Sequence, residues 1–488
     1  MRCFSRMNIR QLLTASALYG VADMLVLAVG GFLLLPLYTR TLSQSEFGTY
    51  VIIKANIEIL TYVLYFGLLS AMVRVYFDYK RTGQQREYIN SVLMFFLLVV
   101  VVAGAILAFW GDAAWHLLSP TTPSRPYIWY SLAIAAASFT AGLGSSWFRL
   151  DERVKAFVTL QVVAATVLTV FAFICLVVLK LGLTGLLMAL VIGYVPASAV
   201  LLYRLGNKFR PVVRHTHIME SLYYGVPFAV GYIAYFILNR FSMLTLQHYV
   251  AVDQIAIFGL AQQLSILVSI VSQSFGKAMQ PAVFGADPAQ APEILRRSSK
   301  LFILLIFGVT SFVVMFAHEI ISIAATKSYM SGYNVLLILL VASFVYSLGL
   351  VSDTTLLYFR RPRTSAAMSI VGAVMSVVFG LLLIPRYHLM GGAIATFGAY
   401  FVMTLLSHVM AYRLTRQSYF GQMAVVFVAA CMLAVVAAWP GWQNIGLFLS
   451  VGVKFIIIGF VFAIIFAIYA PKGFPKSWSE FSAYLREK

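Results

Sequence analysis

The chain has 488 residues, of which 61% are hydrophobic and only 10% charged, against roughly 45–50% and 25% in a soluble domain. It cannot enclose its apolar residues in a water-facing shell and reads as an integral membrane protein; apolar stretches run from residue 12 to residue 470, leaving no room for a folded extramembrane domain. The excess of 35 Lys and Arg over 16 Asp and Glu, a net charge of +19, would suggest nucleic acid in a soluble protein; in a membrane protein the position of the charges decides.

Arg2, Arg6 and Arg10 precede the first apolar run as in a signal peptide, but the run continues to about Tyr38. That is too long for a cleaved segment, so an uncleaved first span is expected. Stretches of about 20 apolar residues, bounded by charges or by Gly and Pro, predict an all-α polytopic protein of about fourteen transmembrane helices. They centre near Val26, Leu60, Val100, Ala136, Val167, Leu190, Val230, Leu264, Phe307, Val341, Met375, Phe401, Val428 and Ile457. The eighth is diluted by Gln262, Gln263 and several serines, which suits a helix facing a polar cavity better than one facing lipid.

Cytoplasmic loops of membrane proteins are enriched in Lys and Arg. With both termini cytoplasmic, the segments on that side carry 27 basic residues and the opposite segments five, while Lys54, Arg240 and Lys454 fall within or at the edge of spans. The bias alternates through every loop. Topology thus accounts for most of the charge, and nucleic acid is not expected as a partner.

A repeat is visible at the six-helix period. Tyr19-Gly20-Val21 recurs as Tyr224-Gly225-Val226 at a spacing of 205, and Phe47-Gly48 recurs as Phe258-Gly259 at 211. Phe148-Arg149 recurs as Phe359-Arg360 at 211, and Gly185, Ala189 and Tyr194 recur as Gly391, Ala395 and Tyr400 at 206. Because six is even, both copies enter the membrane from the same side, which predicts two parallel six-helix lobes around a central cleft. The expected boundaries are 1–210 for the N-lobe, 211–416 for the C-lobe and 417–488 for two appended helices and a short tail.

Enzymatic motifs are absent. No G-x-x-x-x-G-K-[ST] cradle occurs, the outer loops lack paired carboxylates, and no loop could hold a glycosyltransferase fold. His215 and His217 lie in a basic loop with no Cys or acidic cluster beside them, and Cys3, Cys175 and Cys431 have neither CxxC spacing nor a framework. No metal, disulfide or cofactor is therefore expected, and the chain is not expected to be an enzyme.

Ionisable residues inside the membrane cost ~2.5–3.5 kcal/mol each near a helix centre, so each needs a partner or a wet cavity. Asp23 lies about twelve residues into the first span with no local partner, leaving Lys54 or Lys454 as its possible counter-charges. Lys54 and Glu58 are one turn apart and can pair with each other, either to let the helix insert or for function. Arg240 ends the seventh span on the outer side, where it either snorkels to the interface or offers a fixed cation. Lys454 lies inside the last span, and Arg74 at the inner end of the second either begins a cationic track or serves topology. The second copy has Ser265 opposite Lys54, Ser269 opposite Glu58 and Phe228 opposite Asp23, which favours a task peculiar to the first half. Arg240, Lys454, Lys54 and Arg74 are thus candidates for binding an anionic substrate, and Asp23 and Glu58 for ion coupling.

Residues 34–43 (LLPLYTRTLS), Glu46-Phe47-Gly48-Thr49-Tyr50, residues 67–78 (GLLSAMVRVYFD), residues 149–153 (RLDER) and the GGAIAT run from Gly391 together resemble the polysaccharide-export flippases of the Wzx type. These belong to the superfamily that also holds the multidrug and toxin extruders and the lipid II flippase. Family members often carry an Asp-Arg pair near the outer end of the seventh helix; Asn239-Arg240 stands there, matching the arginine and not the acid. The resemblance implies ion-coupled, alternating-access flipping of an undecaprenyl-pyrophosphate-linked oligosaccharide from the cytoplasmic to the periplasmic leaflet of a bacterial inner membrane. Membrane lipid, a glycan polymerase and glycosyltransferases are the implied partners. The alternatives are a multidrug extruder, which would prefer an acidic cavity for cationic drugs, and a scaffold for glycan enzymes that transports nothing.

Overall fold

A computed structural model describes residues 32–210, 213–284, 291–416, 419–444 and 447–469. The expected first span, with Asp23, lies outside the described residues. All the regular elements described are helical. The short α1 (Leu35–Thr41) has Pro36 at its start, where a missing N–H costs nothing. Helix α2 (Gln44–Tyr65) opens on a capping box in which Ser43 and Glu46 satisfy each other's backbone N–H. It ends where Phe66 and Gly67 both turn left-handed, at φ 46° and 68°, and α3 (Leu68–Arg81) continues the same span. Then follow α4 (Gln85–Leu118), α5 (Tyr127–Leu150), α6 (Val154–Phe173), α7 (Gly182–Gly193) and α8 (Val195–Leu205). At 34 residues, α4 is about 50 Å long and outruns a hydrocarbon core of about 30 Å.

The remaining helices are α9 (His215–Leu246), α10 (Val252–Phe284), α11 (Ala291–Met315), α12 (Ala317–Ala324), α13 (Tyr333–Tyr358), α14 (Pro362–Thr415), α15 (Phe420–Ala437) and α16 (Leu447–Tyr469). Twelve runs among the described residues are long and apolar enough to cross a membrane. One of them, α14, is two helices joined across a turn at His388, whose φ of 49° and ψ of −123° are not helical, three residues after Pro385. The eleventh and twelfth expected spans, centred at Met375 and Phe401, occupy its two arms, and each of the other eleven expected centres after the first falls within one of the remaining runs. Large apolar side chains such as Phe109, Trp110, Ile456 and Phe460 point outward, 66–81% exposed, as lipid-facing residues should.

The chain packs as two compact units. The first comprises 1–264, 321–335 and 369–399. Its core joins α2, α3, α4, α5, α8 and α9 through Leu68, Met72, Tyr88, Phe96, Phe139 and Trp147, all 2% exposed or less; Phe96 and Phe139 stack with centroids 3.7 Å apart. Two close approaches tie helices together. A Cβ on Gly67 or on Gly225 would strike the other residue's backbone, so the break in the second span rests directly on α9. A Cβ on Gly48 of α2 would strike the Val252 carbonyl of α10, and one on Gly259 of α10 would strike Val51 of α2. The two Phe-Gly copies therefore sit on helices that face each other reciprocally, and small residues are what let such helix backbones approach.

The second unit comprises 265–320, 336–368 and 400–488. Within it α11 packs on α15 and α16, with Gly308 opening space for the Phe462 ring. Buried hydroxyls pair across its helices: Ser347 donates to Ser272, and Thr404 donates to the Val345 carbonyl.

Candidate functional site

In the first unit three helices converge on Arg240 of α9. Its Nε donates to Glu58 Oε2 of α2 at 2.7 Å, and its Nη1 donates to Gln262 Oε1 of α10 at 3.0 Å. Gln262 in turn donates to the Asn239 carbonyl at 2.7 Å, and Lys54 donates to Gln263 at 3.4 Å. The glutamines that dilute the eighth span are thus the partners of the intramembrane cations. With the side chains of Arg240 and Glu58 only 16% and 23% exposed, the guanidinium turns inward instead of reaching for the interface. Glu58 forms its close ion pair with Arg240 and not with Lys54, one turn away.

From this pair a polar stripe runs along α2 and α3 at four-residue spacing: Lys54, Glu58, Tyr62, then Ser70, Arg74 and Asp78. The Tyr62 hydroxyl donates to Glu58 Oε1 at 3.2 Å, and its ring stacks on Tyr232 of α9 with centroids 5.4 Å apart. Tyr232 shares a 2.6 Å hydrogen bond with Ser70. Arg74 donates to Asp78 at 2.7 Å with its own side chain 60% exposed. Residues on both sides of the break at Phe66 and Gly67 therefore reach α9. The four-residue spacing was the signal in the sequence that could have exposed Tyr62, Ser70 and Asp78 as companions of Lys54, Glu58 and Arg74; Tyr232, on another helix, carried no such signal.

Beyond the stripe, Asp151 clamps three helices. It accepts from Lys80 at 2.8 Å and Tyr76 at 2.7 Å, both on α3, and from Arg204 of α8. The Arg204 guanidinium lies 4.1 Å from the ring centroid of Trp147 on α5. Burial pushes the Asp151 carboxyl up, but the hydrogen bonds from Lys80, Tyr76 and Arg204 outweigh it and hold it below the usual carboxylate range. His217, the metal-like residue of the 215–217 pair, is buried against Ser91 and the Tyr79 ring.

Lys454 belongs to the second unit and does not join this stripe. It is 2% exposed, is ion-paired with Glu319, and lies 5.5 Å from the Phe316 ring centroid and 5.3 Å from that of Trp442. That arrangement fastens α16 to Glu319 of α12 and to Phe316, which joins α11 to α12. Asp353 of α13, accepting from Ser365 at 2.9 Å, is a carboxylate within a span that the sequence reading passed over.

The model of the family described as polysaccharide biosynthesis protein matches residues 14–285, more than half of the chain. The chain belongs to that family. It is 22% identical over 226 residues to an uncharacterized membrane protein of Methanocaldococcus jannaschii, a match covering 45% of this chain and 44% of that one, so it spans under half the length of that curated relative. Among solved structures, the lipid II flippase MurJ in an inward closed conformation superposes with a TM-score of 0.73 over 93% of this chain and 98% of its own, at 12% identity. An inward-facing multidrug resistance MATE transporter superposes at 0.62 over 82% and 94%, at 17% identity. A transporter of the same superfamily from Pyrococcus furiosus superposes at 0.56 over 83% and 96%, at 15% identity. This member of the polysaccharide biosynthesis family therefore has the transporter fold seen in MurJ and in MATE proteins.

Proposed function

We propose that this protein flips a polyprenyl-pyrophosphate-linked oligosaccharide from the cytoplasmic to the periplasmic leaflet of a bacterial inner membrane, by ion-coupled alternating access between lobes formed by residues 1–210 and 211–416. The observation that carries the reading is the Arg240–Glu58 pair with Lys54 one turn from Glu58. An arginine can exchange one anion for another without ever leaving a bare charge in a low-dielectric place. When the pyrophosphate arrives, it takes the guanidinium fork of Arg240; Glu58 is released and turns to Lys54, one turn before it on the same helix. Release of the substrate restores the original pair. Glu58 and Asp23 are the candidate groups through which an ion gradient drives the cycle. Membership in a polysaccharide biosynthesis family and a flippase fold both support a lipid-linked glycan as cargo.

The test is a vesicle assay on the reconstituted full-length protein, offering a lipid-pyrophosphate oligosaccharide or a cationic dye. Flipping of the first without uptake of the second is expected. Uptake of the dye alone would overturn the reading in favour of a multidrug extruder, and transport of neither in vesicles with an imposed pH gradient would favour a scaffold. Repeating the assay on Asp23→Asn and Glu58→Gln, with and without the gradient, assigns the coupling group.

A further inference from the structure

Where α3 ends and α9 begins, a groove of about 680 Å³ opens, lined by Asp78, Tyr79, Gln84, Glu220, Tyr223 and Tyr224 among others. That volume is in the usual range of small-molecule sites, roughly 300–1,000 Å³. Beside the apolar Val75 and Met219 and the hydroxyl of Thr82, its walls carry three tyrosine rings, a side-chain amide and two carboxylates. Tyr79 is fixed in place, stacked on Tyr88 with centroids 5.1 Å apart, set edge-on to His217, and donating its hydroxyl to Glu220 at 2.9 Å. Tyr223 meets Tyr224 edge-on at 5.3 Å and is 77% exposed. Tyrosines that only mark a membrane interface sit on convex, lipid-facing surface; these line a concavity together with acids.

We propose that this groove binds the carbohydrate part of the lipid-linked glycan, an inference that rests on the flippase reading above. No lysine or arginine lines the groove, so it offers a phosphate no cation and is not a second seat for the pyrophosphate. Asp78 is already matched by Arg74 at 2.7 Å and Arg81 at 4.0 Å, which weakens its pull on a simple cation. A pyranose ring suits all three kinds of wall. Its axial C–H bonds carry slight positive charge toward the negative face of a tyrosine, and its hydroxyls both donate to carboxylates and bond to an amide. The position fits as well. Arg74 lies one turn membrane-ward of Asp78 on the stripe, so a lipid-linked glycan with its phosphates near the cations has its sugars in the groove.

Saturation-transfer NMR on the full-length protein in zwitterionic, sugar-free micelles tests this, with diacetylchitobiose and maltose as neutral probes and glucuronic acid as an anionic one. Saturable transfer to ring C–H protons of at least one neutral disaccharide is expected, with little to glucuronic acid. Tyr223→Ala should weaken binding about tenfold, and Tyr223→Phe, which keeps the ring, should preserve it. Tyr223 is exposed, so neither change disturbs the core. Absence of transfer from both neutral probes, or equal affinity in Tyr223→Ala, would overturn the proposal. The vesicle assay keeps the two readings apart: flipping without disaccharide binding removes the groove and leaves the flippase, whereas saturable, Tyr223-dependent binding without flipping removes the flippase and leaves a saccharide site.

Discussion

Truncating Arg240 leaves Glu58 half-buried beside Tyr62 with no guanidinium. Arg240→Ala is expected to lower stability by about 1–3 kcal/mol, less than a fully buried broken pair would cost because both side chains keep some access to water. Thermal unfolding in detergent measures it. The double variant Arg240→Gln with Glu58→Gln removes both charges and is expected to recover most of that stability while flipping stays lost. Normal flipping by the double variant would reduce the pair to a tie between helices. The sequence made these residues conspicuous through the cost of charge in a membrane, yet it could not say that Glu58 prefers a residue 182 positions away to the lysine one turn back, because a local spacing competes with partners that only the tertiary fold brings near.

At the scale of elements, the Asp151 clamp and the Gly67–Gly225 contact make separate predictions. The Asp151 carboxyl is held below its unfolded value of about 3.9. Its contribution is therefore fully present above that pH and is lost as pH falls through the folded value. The gap in melting temperature between wild type and Asp151→Asn should be constant from neutral pH down to about 5 and should shrink below about 4; a gap that widened on acidification would contradict the assignment. Gly67→Ala combines a left-handed φ of 68° with a collision against Gly225, so a loss of at least about 1 kcal/mol is expected from the backbone conformation alone. RLDER and GLLSAMVRVYFD were legible as family-like strings. Their physical jobs, a clamp and a break resting on another helix, were not, because each depends on a contact with a distant segment.

For the whole molecule, the expected orientation puts Gln84 inside and Thr121 outside. A cysteine at either position should react with an impermeant thiol reagent from opposite faces of sealed vesicles, and labelling of both from one face would break the topology. Thr121 is the better outer probe, since Thr122 is 2% exposed and bonded to the Trp115 indole. The spans were readable almost throughout because the bilayer demands about 20 apolar residues of every crossing helix, a rule that acts on sequence directly. The break inside α2–α3 escaped because two turns of apolar sequence look the same whether straight or bent. The separate fixing of Lys454 by Glu319 escaped because apolar spans carry no sign of which helix lies beside which.

The left-handed step at Phe66 and Gly67 also sets the angular phase of the stripe. Four residues advance an α-helix by about 400°, so positions at four-residue spacing drift about 40° per step. Carried unbroken from Lys54 to Asp78, that drift would total about 240° and would turn the far end of the row away from α9 toward lipid. The step interrupts the drift, and Tyr62 and Ser70 on either side of it meet the same Tyr232. Deleting one residue there would leave both helices intact and rotate Ser70, Arg74 and Asp78 by about 100° relative to Glu58, cutting a continuous polar row into two that no longer line up. The register of a single turn thus governs whether the polar row on these two helices is continuous or split.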